Sequence, residues 1–244
     1  MCEVTFPESL KTIASCAFGG TGIKGNLSLP DNLESIGGHA FINCSGLTGS
    51  LTIPEKITEI PAYAFNGCGF TGTLNLPRGV EQIGECSFSN NGFKGELNLP
   101  DGVSIIGNGA FESTLFNGTV VFPKELMSLG EGVFSGCWRL GGVVEIPENI
   151  IAVPGFLFFN CSGIEGVRFH KGVEVVNAYA FCGCTGINTL ECEAKNPPVL
   201  HSETFSGVAK DNFTIEVPEA SVTQYRNASV WNEFRRFAAH RDFS

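Results

Sequence analysis

Ten cysteines and four histidines are the side chains of this 244-residue chain best equipped for metal binding, redox chemistry or nucleophilic attack. Cys182, Cys184 and Cys192, with His170 or His201, come nearest to a metal-binding group, but their spacing matches no zinc-ligand pattern. Cys44, Cys68, Cys137, Cys161 and Cys184 each lie three residues after a phenylalanine, and Cys16 and Cys86 each lie two before one. A recurring position is the mark of a structural column, where Cys acts as a small buried hydrophobe. Stacking like residues in parallel register suits the roughly 90° disulfide dihedral poorly, so free thiols are expected. The run Gly20-Thr21-Gly22-Ile23-Lys24-Gly25 has the form G-x-G-x-x-G. A dinucleotide site needs a strand before that run and a helix after it, whereas here a strand is expected at Leu27–Leu29. No Ser/His/Asp or paired-carboxylate arrangement stands out, so the reading offers no catalytic residue, no metal ligand and no cofactor. Asn26, Asn43, Asn117, Asn160, Asn212 and Asn227 open Asn-x-Ser/Thr sequons, which matter only where the source glycosylates secreted proteins.

The elements that position these residues are repeats. Prolines 7, 30, 54, 77, 100, 123 and 147 are spaced by 23 or 24, and each precedes by 11 a phenylalanine of the series 18, 41, 65, 88, 111, 134, 158, 181 and 205. His170 stands in the proline position of the eighth unit. Five residues before each Phe lies Ile13, Ile36, Ile60, Ile83, Ile106, Leu129, Val153, Val176 or Leu200. Ahead of each proline comes an apolar-x-apolar pair, from Leu27/Leu29 to Val167/Phe169, which reads as a short strand ended by a residue that cannot donate to a ladder.

A single such unit cannot bury its apolar face, so neighbours must stack into a continuous core. Nine coils at strand spacing span roughly 43 Å. Stacking turns the Phe series into a buried ladder of rings without polar atoms, whereas Tyr or Trp would need a partner in every coil. This accounts for 21 Phe against 3 Tyr and 2 Trp. Gly serves the tight corners.

The pattern Pro-x-x-(Ile/Val)-x-x-Ile-Gly-x-x-Ala-Phe-x-x-Cys, clear in residues 30–44 and 54–68, resembles the BspA-like leucine-rich repeats of bacterial and some protist surface proteins. The resemblance covers about residues 3–217 and implies a leucine-rich-repeat solenoid of short parallel strands and turns, horseshoe-like. It departs from the pattern where Thr21, Asn91 and Thr114 replace Cys, where Thr204 and Val208 replace Ala and Cys, and at Lys195-Asn196-Pro197-Pro198. The last coil is therefore expected to be irregular. It implies a secreted or cell-surface setting and a non-enzymatic binding or adhesion role, with a repeat stalk of a larger protein as the alternative.

The domain reading is a solenoid over residues 1–217 and a helical cap over 218–244. Val222, Tyr225, Val230, Trp231, Phe234 and Phe237 suggest two short amphipathic helices, the second capped by Ser229. On this reading the first repeat strand starts at Glu3 with nothing to cover it, and no signal-peptide pattern is visible ahead of it. Either the chain is cut from a longer protein, which we favour, or that end is covered by a partner or a second copy in an end-to-end dimer. No stretch is long enough for a membrane span. The net charge of −10 with 15 Lys and Arg argues against nucleic acid.

Binding, if any, is expected on the outward positions of the pre-proline strands. Thr52, Thr73, Asn75, Glu96, Asn98, Glu145, Arg168 and Glu191 are the candidates, for a protein or glycan ligand. The same row would equally serve as a soluble face that prevents sheet aggregation.

Overall fold

The structure is a computed structural model that describes residues 3–240; Met1, Cys2 and the last four residues of the expected cap lie outside it. The chain winds as a series of coils whose short strands pair in parallel, with one two-residue strand per coil on the Ile column, from Thr12–Ile13 to Val199–Leu200. Each has an outward residue followed by an inward one, as in Ile60 and Ile83, both fully buried. The repeat spacing identifies this column without assigning it to a strand.

The pre-proline track is less regular than expected. It pairs Lys24–Asn26 with Gly46–Thr48, and Leu51–Thr52 with Leu74–Asn75. It then resumes as a five-stranded parallel sheet through Gly142–Glu145, Ile164–Phe169, Thr189–Cys192, Thr214–Pro218 and Arg236–His240. The first ladder therefore lies just before Leu27/Leu29, inside the glycine run, and no helix follows it. The pairs Leu97/Leu99 and Val120/Phe122 lie outside any strand.

Continuity comes instead from the turn that carries the ladder phenylalanine. The Phe N–H donates to the carbonyl of the residue just before the next coil's Phe at all eight junctions, from Phe18 to Ala40 (2.8 Å) through Phe181 to Thr204 (3.0 Å). Residues two before and two after the Phe donate forward in the same way; Tyr63 bonds Glu85 O at 2.8 Å and Gly67 bonds Ser89 O at 2.9 Å. To aim these N–H groups along the solenoid, the chain takes positive φ at both flanking positions: +58° at Tyr63 and +64° at Gly67. Nine residues from Gly20 to Gly207 fill the second position; all but Ser113 are Gly or Asn, which suit that conformation.

The rings stack as the repeat arithmetic requires. Phe41, Phe65, Phe88, Phe111, Phe134 and Phe158 are fully buried, with successive centroids 5.4 to 5.7 Å apart and planes within 10° of parallel. A second ladder, Phe70, Phe93 and Phe116, braces the middle coils edge-on at 6.1 to 6.4 Å. Leu47 and Leu140 hold the equivalent buried position on either side, so aromatic bulk is concentrated at the centre.

The tail corrects the expectation of two helices. Val222–Asn227 is a short helix, but Val230 has φ +66° and is followed by only a single 3-10 turn, Trp231–Glu233. The chain then runs as Arg236–His240 beside Thr214–Pro218, pairing Ile215 with Phe237. Apolar spacing that fits a helix also fits a turn plus strand, and an open sheet edge supplies a ladder that an isolated second helix lacks. Tyr225 and Trp231 are buried, donating to Ala194 O (2.7 Å) and Pro198 O (2.8 Å). These bonds anchor the irregular 194–198 insertion, after which Val199–Leu200 still pairs with Val175–Val176.

Candidate functional site

The cysteine column has a structural role that the spacing alone does not reveal. Each thiol donates to the carbonyl of the ladder Phe one coil back: Cys44 to Phe18 (3.0 Å), Cys68 to Phe41 (3.0 Å), Cys137 to Phe111 (3.1 Å), Cys161 to Phe134 (3.0 Å) and Cys184 to Phe158 (2.9 Å). In the fourth unit Asn91 Nδ2 serves both Phe65 O and Phe88 O. It thereby covers the carbonyl that the fifth unit's Thr114 misses, because Thr114 bonds back to its own Phe111. Burial pushes the thiols of Cys68 and Cys184 up to about 12 and that of Cys137 up to about 11. They stay protonated at neutral pH, the opposite of an activated nucleophile.

The residues considered for a metal are held apart by other partners. Cys184 belongs to the thiol column, and Cys192 Sγ lies 3.1 Å from Tyr225 Oη. His170 accepts from Gly172 N at Nδ1 and lies 3.2 Å from Ile150 O through Nε2, replacing the proline's corner with a hydrogen-bonded one. Among the described residues no three His, Cys, Asp or Glu side chains converge.

The strand-face candidates fall into three groups. Asn75 Nδ2 donates to Thr52 Oγ1 (3.0 Å) and Thr73 Oγ1 donates to Ser50 Oγ (3.1 Å), so the early coils present a hydrogen-bonded polar row. Arg168 is clasped between Glu145 and Glu191, with Nε donating to Glu191 Oε2 at 2.6 Å. The Arg168 bond holds the Glu191 carboxyl below the usual carboxylate range. Glu96 and Asn98 stand exposed between these groups, on a segment without a ladder, where Glu96 leans toward Gly118.

Sequence reasoning missed what separates the groups. Val121 is 73% exposed and Val143 is 40% exposed. They border a cleft of about 580 Å³ formed by residues 119–124 of one coil and 143–148 of the next. Both valines stand in the outward row read as polar, so their type was legible, but not the cleft beside them. A shallower cleft of about 840 Å³ lies between residues 171–174 and the 193–198 insertion, with Lys171 and Lys195 offset by Glu174 and Glu193.

The sequence matches the description BspA type Leucine rich repeat region in six copies, over residues 1–117 and 106–229. The chain belongs to the BspA-type leucine-rich repeat family. Two solved structures show the same fold. A leucine-rich repeat protein from Bacteroides ovatus has a TM-score of 0.65 at 20% identity, with 95% of this chain and 64% of that one covered. The pneumococcal vaccine antigen PcpA has a TM-score of 0.57 at 18% identity, with 95% and 60% covered. This chain thus spans somewhat under two thirds of either. No curated protein matches it by sequence. Among the described residues no helix is long and apolar enough to cross a membrane.

Proposed function

We propose that this BspA-type repeat chain is a non-enzymatic binding module, acting through its pre-proline strand face on a protein ligand in a secreted or cell-surface setting. The observation that carries the reading is the Val121–Val143 cleft within an otherwise polar row. An exposed apolar notch rimmed by polar groups is the usual make-up of a protein contact rather than of a merely solvated face. The flanking rows, Thr52 to Asn75 and Glu145 to Glu191, hold their side chains in fixed ladders, which lowers the ordering entropy that binding costs. The surface setting rests on the family resemblance.

The test is a binding screen of the chain against immobilised matrix proteins and glycans, repeated with Val121→Lys and with Glu145→Gln/Arg168→Met/Glu191→Gln. At least a tenfold loss for both variants at unchanged melting temperature supports the face. Full binding by both would exclude it. A repeat stalk without a ligand predicts no capture by any member of the panel.

A further inference from the structure

The turn position two residues before each ladder Phe forms a second display column, separate from the strand face. In the first eight coils it holds Cys16, His39, Tyr63, Cys86, Gly109, Gly132, Phe156 and Tyr179, all at positive φ. The rings of His39 and Tyr63 stack 4.8 Å apart, and so do those of Phe156 and Tyr179. Between Cys86 and Phe156 the column is empty, because Gly109 and Gly132 carry no side chain. The result is a hollow of about 270 Å³ bounded by Cys86 at one end and Phe156 at the other.

The lining of the hollow has one sign of charge. Glu112 Oε2 lies 3.4 Å from where a Cβ of Gly109 would stand, and the Glu131 carboxyl carbon lies 3.9 Å from the same point on Gly155, beside Phe156. Neither carboxylate has a salt-bridge partner among the described residues, and no Lys or Arg lines the hollow. Phe156 is 41% exposed and stacks on Tyr179, while its neighbour in the column on the other side is a glycine. A ring at one end of a small concavity and carboxylates along it are complementary to a planar cation, which can lie over the ring and donate to an acid.

We propose that this hollow receives an arginine side chain of a protein partner. The site is on another surface from the strand-face cleft and does not depend on it. The test titrates the isotope-labelled chain with the tripeptide acetyl-Gly-Arg-Gly-amide at about 0.15 M ionic strength. Amide shifts should saturate and centre on Gly109, Gly132 and Phe156. Glu112→Gln/Glu131→Gln should weaken the binding about tenfold and Phe156→Leu about two- to five-fold, the latter being the scale of an exposed cation–π contact. Both variants replace exposed or half-exposed groups, and circular dichroism should show them folded. The proposal is overturned if shifts scatter over the acidic surface, if the double variant binds as well as the parent, or if glucosamine shifts these amides while the arginine peptide does not.

Discussion

Raising the pH should unfold this solenoid in a way set by its thiols. Burial holds the folded-state values of Cys68 and Cys184 at about 12 and those of Cys137 and Cys192 at about 11, against 9.0 for an unperturbed thiol. Each proton is therefore held more tightly in the folded chain. The stability this confers is complete below pH 9 and is lost as the pH climbs toward 11 and 12. Each thiol costs about 1.4 kcal/mol of stability per pH unit in that window, so four together cost about 5 kcal/mol per unit. Native proteins have about 5–15 kcal/mol in total, so the fold should give way between roughly pH 10 and 11. Urea melts from pH 8 to 10.5, with thiolate absorbance as a second probe, would show ionisation of the buried thiols and unfolding in one transition, apart from the share of exposed Cys16. Cys137→Ala should lessen the pH slope by about 1.4 kcal/mol per unit, which separates the thiol contribution from lysine titration. Thiolate absorbance reaching its full value for all the cysteines, the buried column included, while the fold persists would refute the reasoning, since it would mean that the column is accessible and plays no part in the carbonyl network.

Two further outcomes follow from individual positions. Ser87 occupies the column filled by Ala40, Ala64, Ala110 and Ala180, and its fully buried hydroxyl has no partner. Ser87→Ala should therefore raise stability by about 1–2 kcal/mol in denaturant melts, and a loss of stability would mean that the hydroxyl is satisfied. Phe111 is fully buried with a stacked ring on each side, whereas Phe18, in the first coil, is only partly buried, stacks on Phe41 and meets Phe6 edge-on. Phe111→Leu should cost about 1–2 kcal/mol and Phe18→Leu less than half of that; equal losses would argue against nearest-neighbour stacking as the source of stability.

Repeat period, Phe ladder and thiol column were all legible in the residues, because stacking forces each coil to solve the same packing problem with the same side chain. Strand assignment was legible only in part. The Ile column is legible as a recurring position but not as a strand, since two-residue strands leave too short an alternation to read. Of the strand-face candidates, the sequence placed Thr52, Thr73, Asn75, Glu96, Asn98, Glu145, Arg168 and Glu191 on the outward row, and all are exposed or half-buried. It could not show that Glu145 and Glu191 occupy Arg168, because that depends on the pairing Glu145–Arg168–Glu191 across three coils.

By itself, then, the sequence determined the family, the period and which side chains point inward, since these follow from spacing and polarity along one dimension. Tertiary structure decided the rest. The continuous backbone ladder runs through turns at positive φ, where no strand pattern exists to be read. The tail became a short helix and an added strand because a sheet edge was there to receive it. The valine cleft and the glycine hollow exist only between coils. They arise from what one repeat omits beside what its neighbour retains, and a linear pattern records the two positions without recording that they touch.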